Sequence, residues 1–178
     1  MSAFGGIINL YGNERIDALK NMKRSMCLFA GEDWKANLYG GNALLFGGFA
    51  MPFEISNGKG RRAAAVFESR RSLGYGAALD GAREAFCAYF DEGISFIYHI
   101  RSKGALAIFD IDREELFVYV PKGCSSRIYY VKGRESVYFS TALCGVAPWS
   151  SLGNIESISG GEALFISSGR GLSPCSPQ

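Results

Sequence analysis

Ser2 stands directly behind Met1 and ahead of Ala3-Phe4-Gly5-Gly6-Ile7-Ile8, a Gly pair inside an apolar run. Once Met1 is removed, which the small Ser2 favours, this residue carries both a free α-amine and a hydroxyl. Such an amine titrates near pH ~8 and can act as general base toward its own side chain, the chemistry of an activated nucleophile. The plainer reading is a hydroxyl at the end of a buried strand. Cys124, in Lys122-Gly123-Cys124-Ser125-Ser126, is a loop thiol beside a lysine, read either as reactive or as an ordinary loop residue. Cys27, Cys87 and Cys144 sit among apolar residues and read as core. With no C-x-x-C pair and a single histidine, His99, neither a zinc site nor a Cys-His dyad is supported. Gly5-Gly6 and Gly47-Gly48 lack the G-x-x-x-x-G-K-[ST] pattern of a phosphate loop. The second pair is expected to permit close backbone approach.

Composition narrows the classes. In 178 residues, 48% hydrophobic and 20% charged, the balance suits one globular domain with a sizeable core. The net charge of +2 is spread without blocks. The doublets Lys23-Arg24, Arg61-Arg62 and Arg70-Arg71 read as solvated surface, so no nucleic-acid partner is expected. Residues 1–12 show neither a basic leader nor a cleavage site, and no apolar run is long enough for a membrane helix. The expectation is a reduced, cytoplasmic, soluble protein with free thiols, no membrane partner and no cofactor in this chain.

These residues need elements to position them. Phe4 to Leu10 reads as a buried strand, Tyr11-Gly12-Asn13 as a turn, and Glu14 to Met26 as a helix with Ile16, Leu19, Met22 and Met26 on one face. Trp34 to Tyr39 and Asn42 to Phe49 read as strands joined across Gly40-Gly41. Ser56 to Gly60 is a loop, Ala63 to Phe67 a strand, and Ser72 to Leu79 irregular. Asp80 to Glu92 reads as a helix striped by Ala85, Phe86, Ala88 and Tyr89, with Gly93 ending it. Three strand pairs follow: Ala105–Asp110 with Leu116–Val120, Ile128–Val131 with Ser136–Ser140, and Ile155–Ile158 with Ala163–Ile166 around Gly160-Gly161. The expected domain is 1–172, with 173–178 as tail or linker. The pattern predicts an α+β fold, two antiparallel sheets with helices outside.

In that order the motifs resemble the class II glutamine amidotransferase domain of asparagine synthetases. Met1 to Asn9 resembles that family's Met-Cys-Gly-Ile-Ala-Gly opening. Trp34 to Ser56 stands where the family carries Gly-His-Arg-Arg-Leu-Ser-Ile. Gly104 to Asp110 is similar to its Gly-Met-Phe-Ala-Phe-Ala-Ile-Trp-Asp strand, and Ile128-Tyr129-Tyr130 to a Leu-Tyr-Tyr ending. Ser140-Thr141-Ala142-Leu143 stands for Ser-Glu-x-Lys-Ala-Leu, and Ile155 to Phe165 for the Gly-Gly segment before a last strand. The resemblance implies a four-layer αββα sandwich of the N-terminal-nucleophile hydrolase fold.

The departures bear on chemistry. The family's nucleophile is Cys where this chain has Ser2, a weaker nucleophile near neutral pH. An Arg that grips the substrate carboxylate is matched by Phe49, whose ring has no bidentate fork. The oxyanion-hole Asn-Gly is matched within Val66-Phe67-Glu68-Ser69, and a carboxylate there would repel a developing oxyanion. Asp80 stands near the Asp that holds the substrate's α-amine, or else caps the helix after it. The same kind of loss marks β-lactam synthetases and lasso-peptide cyclases, and the Met-Ser-Ala opening looks most like the latter. There the domain accompanies an adenylating synthetase that activates a carboxylate for attack by an intramolecular amine. The resemblance therefore implies a catalytically degenerate glutaminase-like domain, structural or partner-binding, beside an adenylating domain or partner chain. The alternative is a Ser2-dependent amidohydrolase with a non-glutamine substrate. Exposed aromatic strands would also suit a homodimer.

Overall fold

The structure, a computed structural model, describes residues 3–9, 16–30, 34–40, 42–47, 51–56, 60–68, 85–98, 104–167 and 171–175. Strand β1 (Ala3–Asn9) is buried along its whole length, and its side chains alternate between two environments. Phe4 and Ile8 enter a core between two sheets; Ala3 and Ile7 face the other way, toward helix α1 (Ile16–Ala30). A strand covered on both faces reads as a continuous apolar run. The glycines serve its crowded middle. A Cβ at Gly6 would stand 2.4 Å from the Ala43 carbonyl oxygen and 2.7 Å from the Phe139 ring, and one at Gly5 would stand 2.6 Å from the Phe139 carbonyl oxygen. Close backbone approach thus belongs to the first Gly pair. Gly47 instead makes room for a ring, since its Cβ would meet the Trp34 indole at 2.6 Å.

Among the described residues, twelve strands make two six-stranded antiparallel sheets. After β2 (Trp34–Tyr39), β3 (Asn42–Gly47), β4 (Met51–Ser56), β5 (Arg62–Phe67), β6 (Leu106–Asp110), β7 (Glu115–Val120), β8 (Ile128–Lys132), β9 (Ser136–Ser140), β10 (Ile155–Ile158), β11 (Glu162–Ser167) and β12 (Gly171–Cys175), the orders are β10-β8-β9-β1-β3-β2 and β12-β11-β7-β6-β5-β4. Leu44, Phe46, Val66, Phe109, Val118, Val137, Phe139 and Leu164 pack with Phe4 and Ile8 between them. Met22 and Met26 of α1, fully buried, cover the outer face of the first sheet with Leu45, Tyr138 and Trp149. On the outer face of the second, the helical residues 85–92 (α2) bring Ala85, Phe86 and Tyr89 onto Ala63, Leu106, Ile108 and Phe117. Gly93, at φ +62°, ends α2, and the 3-10 turn Gly93–Tyr98 adds Phe96 edge-on to Phe117. The molecule is therefore an α+β sandwich layered helix, sheet, sheet, helix.

Several expectations need correction. Strand β4 lay unrecognised between two expected elements, and the expected tail contributes Ser173–Cys175 to β12. Each of these strands carries a proline, Pro52 and Pro174, and each is an edge of its sheet, where a residue without an N–H is tolerated. Strands β10 and β11 are not a hairpin: β10 pairs with β8, β11 with β7, and Gly160-Gly161 carries the chain from one sheet to the other. Cys87 is exposed, because Ala85, Phe86 and Tyr89 set the inward face of α2 and residue 87 turns away from it. Helix α1 runs on to Ala30, beyond the expected Met26.

Candidate functional site

The start of β1 lies at one end of the sandwich, and the strand register shows what surrounds it. Ala3 faces Gly47, the last residue of β3, and Gly5 faces Ser140, the last residue of β9. In the second sheet, Met51, Phe67, Leu106 and Tyr119 stand side by side. Only three residues separate Gly47 from Met51, so the two ends coincide. The loop from Val120 to Ile128, which holds Cys124, crosses between sheets at this same end.

Thr141 fastens β1 here. The Phe4 N–H donates to Thr141 Oγ1 at 3.0 Å, and the Thr141 N–H donates to the Phe4 carbonyl at 2.9 Å. The Thr141 hydroxyl can give its own proton to that carbonyl, 3.3 Å away. Ser140 is buried behind it, its Oγ accepting the Ala142 N–H at 3.0 Å. Short helix α3 (Leu143–Val146) presses on Ser140 through Gly145, where a Cβ would stand 2.4 Å from Ser140 Oγ.

Across the core, Glu68 follows Phe67, the last residue of β5. Its backbone N–H donates to the Ala105 carbonyl at 2.9 Å, and one of its carboxylate oxygens is shut off from solvent. An N–H committed to a carbonyl is not available to an oxyanion, and a carboxylate beside it opposes one. Cys124 is half-buried against the intersheet core, with its Sγ accepting the Ser126 N–H at 3.5 Å. Cys27 and Cys144 pack partly buried against the α1 layer, where burial pushes the Cys144 thiol up, away from the thiolate.

Ser2, Phe49 and Asp80, with His99, lie outside the described residues. The described frame at this end of the sandwich comprises the start of β1, the ends of β3 and β9, Glu68 and Cys124. Thr141 is the residue that sequence reasoning passed over. Its place beside Ser140 was visible in the motif, but its partner lies 137 residues away and no local pattern points there. Asp110, which ends the Gly104 to Asp110 stretch of the resemblance, lies at the opposite end of β6 from this frame. It is fully buried, paired with Arg61 (Nε to Oδ2 at 2.8 Å), and its Oδ1 accepts the Arg113 N–H, closing the β6–β7 turn. Among the described residues no group of three or more His, Cys, Asp or Glu could hold a metal ion, and no helix is long and apolar enough to cross a membrane.

No protein-family model matches the sequence, and no curated protein matches it. Solved structures do. A glutamine phosphoribosylpyrophosphate amidotransferase from B. subtilis, complexed with ADP and GMP, superposes with a TM-score of 0.70 over 99% of this chain, at 10% identity. The fold is that of an N-terminal-nucleophile glutamine amidotransferase. A second structure, described as the allosteric regulatory enzyme of purine biosynthesis, agrees with a TM-score of 0.65 at 10% identity over 99% of the chain. The likeness is one of fold, and the chain spans 49% of the length of each of these proteins.

Proposed function

We propose that this chain is a glutaminase-type domain without glutamine chemistry, serving a structural or partner-binding role beside an adenylating synthetase. The setting would be an ATP-dependent, amide-forming system of the asparagine-synthetase kind, such as lasso-peptide cyclisation. The observation that carries the reading is Glu68: its N–H is taken up by Ala105 and its carboxylate is partly buried where the resemblance calls for oxyanion donors. Removing one such donor costs ~10²–10³ in rate, before any repulsion is counted. Ser2 in place of Cys and Phe49 in place of Arg support the same reading. Around the turn Ala147–Trp149, Leu143, Ala147, Pro148 and Leu152 are exposed and offer a partner apolar contact.

The test is ammonia release from glutamine by protein shown by intact mass to begin at Ser2, together with labelling by a fluorophosphonate. The expected result is no ammonia above background and no adduct. Turnover of glutamine would overturn the proposal. An adduct mapping to Ser2 without glutamine turnover would favour the amidohydrolase reading.

A further inference from the structure

Each sheet has two edge strands, and an edge leaves a row of backbone groups open to pairing with another chain. Among the described residues, three of these edges are blunted: β4 and β12 each carry a proline, and β10 has only four residues. Strand β2 is not. It has six residues and no proline, and it steps against β3 one for one, from Trp34 opposite Gly47 to Tyr39 opposite Asn42, with no bulge. Tyr39 and Asn42 close the hairpin as a hydrogen-bonded pair, so residues 35, 37 and 39 turn their backbone groups toward β3. The N–H and C=O groups of Ala36 and Leu38 therefore point to the open edge. Their side chains alternate onto the face of Trp34, and both are exposed, Leu38 to 61%.

This strand complements itself in one register. With two copies antiparallel about Asn37, Ala36 of each faces Leu38 of the other, and these outward-pointing residues exchange backbone hydrogen bonds. Each exposed Leu38 then lies beside an Ala36, covering apolar surface. The same register sets Lys35 of each copy opposite Tyr39 of the other. Lys35 is exposed and pairs with no carboxylate among the described residues. The Tyr39 hydroxyl donates to Glu54 Oε1 at 2.6 Å, and Asn37 Nδ2 donates to that oxygen at 3.2 Å. The exposed Glu54 carboxylate is thus held on the face of β2 that Lys35 shares, and cation meets carboxylate across the pair.

We propose that β2 is a self-association edge: two copies of this chain join antiparallel through residues 34–39, centred on Asn37, with Lys35 of each against Glu54 of the other. An edge of this length buries less than the ~1,200 Å² at which standard interfaces begin, so a dissociation constant of about 10–100 µM is expected.

The test is sedimentation velocity of the full 178-residue chain from about 5 to about 500 µM, which brackets that constant. A monomer–dimer equilibrium is expected. A36P removes an edge N–H that β3 does not use, and is expected to give a folded monomer with the wild-type urea midpoint. K35E and E54K each set like charges opposite one another at both contacts, and each is expected to weaken association about tenfold or more. Mixed in equal amounts, the two variants restore opposite charges at both contacts, and the mixture is expected to dimerise as the wild type does. A wild type that stays monomeric throughout, a dimer that survives A36P, or a mixture no better associated than either variant alone would each overturn the proposal. If A36P does not fold, the two charge variants, both at exposed positions, decide by the same criteria.

Discussion

Tyr89 shows how one residue ties chemistry to stability in this molecule. Its hydroxyl donates to Asp110 Oδ2 at 3.4 Å, inside a cluster closed by Arg61, whose guanidinium lies 5.5 Å from the Tyr89 ring centre and 5.2 Å from that of Phe90. Burial, and then the Asp110 charge, push the Tyr89 phenol from its ordinary 10.0 up to about 12. Between those values the folded chain keeps a proton that the unfolded chain has lost. The stabilisation is complete below about pH 10 and falls as pH rises toward about 12. Tyr39, Tyr119 and Tyr130 are shifted the same way by burial, with Glu54 adding to Tyr39 and Glu156 to Tyr130. Urea midpoints measured from pH 8 to pH 12 are therefore expected to decline, and Tyr89→Phe to decline less steeply than wild type. Equal slopes would show that Tyr89 does not contribute. At this scale the sequence singled out Ser2, which lies outside the described residues, and Glu68, through the motif the resemblance sets beside it. Thr141 was not singled out, because its importance comes from a contact rather than from its neighbours in sequence.

Strand β1 is the element on which the fold turns. It pairs with β3 on one side and β9 on the other, and its two glycines let both neighbours come close. Gly6→Ala would drive a methyl into the Ala43 carbonyl, a backbone atom that cannot swing aside as a side chain would. The expected cost is about 3 kcal/mol, read as a loss of urea-unfolding free energy. A loss within error of zero would mean that β3 shifts freely, against the packing described. At the far end of β1 a buried polar set, Asn9, Asn42 and Ser136, binds the same three strands: the Asn9 N–H donates to Asn42 Oδ1 at 2.9 Å. On the open edge of the sandwich, Tyr39 of β2 donates to Glu54 of β4 at 2.6 Å, joining the two sheets. The strands themselves were mostly legible, since alternation and continuous apolar runs are local. The two strands that were missed carry a proline, and proline reads as a break until the position is known to be an edge.

At the scale of the whole molecule, the first sheet is assembled from both ends of the chain: β1, β2 and β3 come early, and β8, β9 and β10 come late. A fragment ending at Val120 would leave β1 without β9 and Phe4 without Thr141. It would also expose the apolar face that β8 and β9 cover, through Val137 and Phe139. That fragment is expected to show no cooperative urea transition by circular dichroism. A cooperative transition would mean that four strands of the second sheet, β4 to β7, suffice as a core.

The sequence by itself determined the class of the fold. Periodicity located the helices and most strands, the hairpins set neighbours within each half, and the order of motifs pointed to an amidotransferase sandwich. The resemblance also marked Ser2, Phe49 and Glu68 as positions where its family carries other residue types. Which strands lie in which sheet was decided only by the tertiary structure, as β10 and β11 show: joined by one glycine turn, they part into different sheets. The clamp of Thr141 on Phe4, the committed N–H of Glu68 and the structural use of Asp110 were likewise decided there. Local patterns follow from propensity and alternation along the chain, whereas these contacts join residues that only the packing of two sheets brings together.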